Sequence, residues 1–181
     1  MSDLSIAAVI TGAAGIAAGL LAAGVPGTAK RCLERFSRSA VAAWILTAVD
    51  MAWAGWLLYH ATFLSDVPWL QRLIPFLFPI FFVLVVFFMD ELLAARALGA
   101  LLLLLPNIVL EVARWHESQW RLVMTVLAYL WVVAGMILVL SPYQFRKTVA
   151  LLAADVGTCR ATGISVLVAG TALVGLGLFV Y

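Results

Sequence analysis

Apolar residues along this chain come in long blocks rather than in the alternation of a half-buried strand, and polar residues gather in short clusters between the blocks. The blocks fall at about 4–25, 40–63, 73–89, 97–113, 122–140 and 161–181. A helix needs roughly 20 mostly apolar residues to cross a bilayer, and strand-like alternation is absent. The pattern predicts an all-α, polytopic transmembrane helical bundle forming one domain over residues 1–181. Pro26-Gly27 closes the first block, and residues 28–39 and 141–159 read as loops. The blocks at 73–89 and 97–113 are short, and Pro75, Pro79 and Pro106 interrupt them. Six spans are predicted, with five as the alternative if residues 73–113 form one kinked helix.

Charge arbitrates between the two. Cytoplasmic loops carry the excess of Lys and Arg. With six spans, Lys30, Arg31, Arg35, Arg38, Arg96, Arg146, Lys147 and Arg160 share one side, and Arg72, Arg114 and Arg121 the other. With five spans the bias almost vanishes. The six-span reading puts both termini outside, in the plasma (bacterial inner) membrane. Cys32 and Cys159 lie in or beside the basic segments, where cytoplasmic thiols stay reduced. The same segments can touch anionic headgroups, so Lys30, Arg31, Arg35, Arg38, Arg146 and Lys147 are candidate lipid contacts.

Composition agrees with this picture. Hydrophobic residues make up 66% and charged residues 11% of the chain, against about 25% charge in soluble domains. Mean hydropathy is +1.14. A net charge of +2 gives no footing for nucleic acid.

The first two and last two blocks repeat. Gly19 and Gly135 each precede a proline by seven residues, Pro26 and Pro142. A basic pair follows each proline, Lys30-Arg31 and Arg146-Lys147. Arg38 with Gly55 and Tyr59 then matches Arg160 with Gly177 and Tyr181. A parallel repeat of helices 1–2 and 5–6 is one reading; two ordinary membrane hairpins with proline stops is the other. Within residues 135–181, the series Pro142-Tyr143-Gln144-Phe145-Arg146-Lys147, Cys159-Arg160-Ala161-Thr162-Gly163, Gly170 and Gly177-Leu178-Phe179 resembles small YjeT-like two-helix bacterial inner-membrane proteins. That resemblance implies a bacterial inner membrane and carries no activity.

Ionisable residues inside a span are costly and mark functional sites by default. Asp50, Trp53, Trp56, Leu57 and His60 fall on one helical stripe, where Asp50 either relays a proton or bonds a neighbouring helix. Asp90, Glu91 and Arg96 sit at the turn between the two short blocks, as a solvated hairpin or as a polar cluster drawn into the membrane. His60 and His116 are the only histidines, and two histidines on adjacent helices can ligate haem b; no cofactor is otherwise expected. Gly15 and Gly19 form a GxxxG motif, and Gly163, Gly170 and Gly177 recur every seven residues. Such faces let a second helix come close, within the chain, in another subunit or in a second copy.

Motifs for phosphate cradling, nucleophile elbows or zinc hydrolysis are missing. The leading expectation is a non-catalytic accessory or scaffold subunit of a larger membrane assembly. A small ion- or proton-coupled transporter or channel is the alternative, and a membrane redox subunit with His-ligated haem the second alternative.

Overall fold

The computed structural model describes residues 2–60, 68–88, 93–115 and 118–181. Asp90, Glu91 and His116 lie outside the described residues, as does the side chain of Arg38. Among the described residues there are eight helices and no strand: α1 (Asp3–Gly24), α2 (Pro26–Arg38), α3 (Ala40–Tyr59), α4 (Pro68–Phe88), α5 (Leu93–Arg114), α6 (Arg121–Leu140), α7 (Pro142–Ala154) and α8 (Val156–Phe179). Of these, α1, α3, α5, α6 and α8 are long and apolar enough to cross a membrane, and Arg72–Phe88 within α4 is a shorter apolar helix. The chain is built as a multi-pass membrane protein.

The tightest pair is α1 with α8, and it is antiparallel. Gly12 meets the Gly170 carbonyl, Gly19 the Gly163 carbonyl, and Gly177 the Ser5 carbonyl. Lipid tails give two apolar helices no hydrophobic reason to associate, so close backbone approach through small residues supplies the attraction. A Cβ built at Gly163 would lie 2.6 Å from the Ala23 amide nitrogen, leaving no room for any larger residue. Antiparallel α5 and α6 use the same device more sparingly, with Gly99 and Gly135 each against the other's carbonyl.

The remaining directions follow from contacts. Gly55 of α3 faces Phe78 of α4, and Val85 and Val86 near the end of α4 pack against the cluster that holds Ala43 near the start of α3. These two helices are therefore antiparallel. Ala43 also packs on Leu93 and Ala94, so α3 and α5 run the same way. Two parallel neighbours that both cross a membrane require a return crossing between them, and α4 is the only helix between them in the chain. Its 21 residues rise about 31 Å, the thickness of a hydrocarbon core. Its internal prolines are tolerated because membrane helices accommodate local ladder defects. These opposed directions speak for two helices over 73–113 and against one kinked helix.

Two segments read as loops are helices. Pro26 and Pro142 follow the ends of long helices, and each stands at the first position of a new 13-residue helix, where its missing N–H costs nothing. α2 turns Lys30, Arg31 and Arg35 outward and keeps Leu33 and Phe36 half-buried. In α7, Phe145 is half-buried and Val149 buried. The two helices meet where Phe36 and Phe145 pack edge to face at 6.3 Å.

The junctions repeat in detail. Val25 and Ser141 share nearly the same backbone angles, φ −133° with ψ 69° and 70°. Ser39 and Asp155 each cap the following long helix, accepting from the amides of Ala42 and Thr158. Helix, proline-started amphipathic helix, capped helix is thus one unit built twice. The second long helix starts at Val156, five residues before the apolar block, because Asp155 provides the cap. The copies differ in packing: α8 lies directly on α1, whereas α5 stands between α3 and α6.

The main core lies at the end away from the basic helices. Leu4 and Ala8 are buried there with Val109, Ala113, Met124 and Ala128. The chain's two ends are clasped at this core: the Ser2 hydroxyl donates to the Tyr181 carbonyl at 3.0 Å, and the Tyr181 hydroxyl donates to the Trp120 carbonyl at 2.6 Å. Burial pushes the Tyr181 phenol above its ordinary value.

This arrangement fixes sidedness. In a Cys159→Ser background, Asp3→Cys and Gln119→Cys react with a membrane-impermeant maleimide from one side, and native Cys32 only from the other. Labelling of Cys32 from the same side as Asp3→Cys contradicts the parity of the bundle.

Candidate functional site

A short polar line lies on the face of α3 that meets α5. Ala48, Met51, Ala52 and Gly55 turn toward α4. Ala43, Thr47 and Asp50, spaced at four and three residues, occupy the opposite side and are buried. Asp50 retains 5% exposure, and neither carboxylate oxygen has a hydrogen-bond partner among the described residues. It is the eleventh of the twenty residues of α3, which places it about 15 Å from either end. In a bilayer that is the middle of the hydrocarbon core. α5 brings no carboxylate-binding group to that depth; its buried residues near its start are Leu93, Ala94, Ala95, Ala97 and Gly99.

Arg96 is the nearest cation along this interface. It belongs to the first turn of α5 rather than to a turn between helices, because α5 begins four residues before the apolar block. Its Nε is buried without a hydrogen-bond partner among the described residues. Register from the Ala43–Leu93 contact places Asp50 about 6–7 Å deeper along the bundle axis than Arg96. Helical side chains tilt toward their own N-terminus, and in parallel helices both side chains lean the same way, so the axial offset between them remains. Neither Asp50 oxygen nor the Arg96 Nε has a hydrogen-bond partner among the described residues.

Between Asp50 and the basic end stand two more polar groups that apolar blocks hide from sequence reading. The Thr47 hydroxyl donates to the Ala43 carbonyl at 2.8 Å, keeping its lone pairs available. At the foot of α3, Ser39 joins Arg31, Glu34 and Arg35 of α2 around an open polar hollow of about 590 Å³. Thr47, three residues before Asp50, was the one available signal, since i and i+3 share a helix face.

The other sequence candidates are dispersed. Trp53 and Leu57 are half-buried, whereas Trp56 and His60 are exposed. The His60 ring packs on Trp56 at 4.2 Å between centroids, with Nδ1 2.9 Å from the Trp56 carbonyl. Asp50 is thus the buried edge of the predicted stripe, and the rest turns to the surface. Gly15, Gly19, Gly163, Gly170 and Gly177 meet across α1 and α8 inside the chain, so these faces are filled by internal packing. Lys30, Arg31, Arg35, Arg146 and Lys147 are exposed on α2 and α7.

An ionised carboxylate with no partner at this depth bears the full cost of leaving water. A proton or small cation that joins it removes that cost, and departure restores it. The site can therefore take up and release one positive charge. Comparison of the chain with protein-family models, with curated proteins and with solved structures finds no match.

Proposed function

We propose that this multi-pass membrane protein is a small ion- or proton-coupled transporter or channel whose coupling site is Asp50. The observation that carries the reading is a carboxylate buried at mid-span, neither oxygen of which has a hydrogen-bond partner among the described residues. Protein interiors keep unpaired acidic groups rarely, and in membranes such groups mark ion and proton paths. Thr47 and the hollow at Ser39 support access from the basic end, the cytoplasmic end by the positive-inside rule. Arg96 bounds that route and repels a free cation unless the carboxylate draws it in.

The test is flux in proteoliposomes under an imposed proton or Na⁺ gradient. The wild-type chain dissipates the gradient and Asp50→Asn falls to the rate of protein-free vesicles, while Asp50→Glu retains activity. Equal flux through wild type and Asp50→Asn overturns the assignment.

A second reading, an accessory subunit of a larger assembly, draws on α4. That helix packs mainly on α3 and leaves Phe76, Ile80, Phe81, Phe87 and Phe88 exposed. Its support is that face and no longer the glycine faces.

A further inference from the structure

One side of the α1–α8 pair is grooved from its middle to the basic end. The deeper part, about 570 Å³, is walled by Ile10 of α1, Leu173 of α8 and Trp131 of α6. The part toward the basic end, about 420 Å³, runs under α2 at Ala29, Cys32 and Leu33. Both parts include Ala18 and Val166, so they form one continuous trough. From Ile10 to Ala22 it follows α1 for twelve residues, about 18 Å. One leaflet of a bilayer is about 15 Å of hydrocarbon deep. The walls are almost wholly apolar, and the trough is open rather than enclosed.

Charge appears only where the trough ends. Arg160 is exposed there, with its Nε donating to the Ala23 carbonyl at 3.3 Å, which holds the side chain at the rim. Lys30, exposed, follows the groove residue Ala29 in the first turns of α2. An apolar slot one leaflet long with cations at its interfacial end matches an amphiphile with a negative head and a hydrocarbon tail.

We infer that this trough is a binding site for an anionic phospholipid of the basic-side leaflet, one acyl chain lying in the groove alongside the α1–α8 pair and the phosphate at Arg160 and Lys30. The site is separate from Asp50, and its occupancy does not depend on transport. The small side chains that let α1 and α8 approach also shape the slot: Ala14 and Ala18 leave the volume that a larger residue would fill.

Native mass spectrometry of the full chain, delipidated in mild detergent and mixed with equal phosphatidylglycerol and phosphatidylcholine, reads the site directly. The wild type retains phosphatidylglycerol about fivefold or more over phosphatidylcholine, the preference expected from one interfacial cation. Arg160→Gln removes the preference and Arg160→Lys keeps it, which separates charge from folding. Ala18→Phe, at an exposed wall position, blocks the slot and lowers retention of both lipids. Equal retention of the two lipids by the wild type overturns the proposal. So does undiminished phosphatidylglycerol retention in Ala18→Phe, which would reduce the effect to headgroup attraction at a basic surface.

Discussion

Gly170→Ala lowers the thermal unfolding midpoint of the detergent-solubilised protein by on the order of 5 °C, and Gly175→Ala leaves it unchanged or slightly higher. A Cβ at Gly170 would stand 2.8 Å from both the Gly12 carbonyl oxygen and the Ile16 amide nitrogen. Backbone atoms cannot rotate aside as a side chain can, so α1 and α8 must separate along their length. Overpacking of this kind costs about 1–3 kcal/mol, and each kcal/mol shifts a domain of this size by about 2–4 °C. Gly175 lies on the same helix with nothing within 4 Å of its added methyl. There alanine gains only its helix preference over glycine. Differential scanning fluorimetry on the two variants separates the effect of contact from that of propensity. A Gly170→Ala midpoint equal to that of wild type would mean that the pair is not joined as described.

Asp50→Val works in the opposite direction. Removing a buried polar group that has no partner among the described residues relieves an unmet desolvation cost of about 1–3 kcal/mol, and valine refills the space with apolar contacts. The midpoint rises by several degrees, while proton- or Na⁺-driven flux is lost. A gain in stability together with a loss of activity is the expected signature of a strained functional group. A fall in midpoint would show that the carboxylate makes stabilising contacts, and the transport reading would go with it.

The bundle was legible because a run of twenty apolar residues has few solutions other than a membrane helix. The asymmetric placement of Lys and Arg favours six crossings over five; five helices are long and apolar enough to cross, and α4 has the shorter apolar stretch Arg72–Phe88. The basic segments were misread for a specific reason. A proline after an apolar helix looks like a terminator, but proline is also the favoured first residue of a helix, and α2 and α7 use it so. Their 13 residues are too short to cross a membrane, while Leu33 and Phe36 in the one and Phe145 and Val149 in the other give each an apolar side to lay on the bundle.

The site was legible only as a residue type. Sequence placed Asp50 on a stripe with Trp56 and His60, because about 100° per residue puts them within one sector. Which edge of that sector is buried depends on where α5 docks, and a single helix does not encode that. Thr47 and the hollow at Ser39 were invisible for the same reason. The glycines were recognised as a close-packing face, but spacing alone does not say whether the partner is another chain. That partner is the chain's own far end, 158 residues on from Gly12 at Gly170, a separation that no local pattern reports.

The unequal packing of the two copies has a mechanical consequence. α1 and α8 touch backbone to backbone at several levels, and both chain ends are tied to the same core, so this pair behaves as a strut. α3 with α4 is hung on α5 through a thinner seam, with Ala43, Thr47 and Asp50 as the buried residues of α3. Displacement falls where the fewest packed contacts must be broken. Parting the α3–α4 leaf from α5 therefore breaks less packing than parting α1 from α8, and the α1–α8 strut is the most firmly joined part of the molecule.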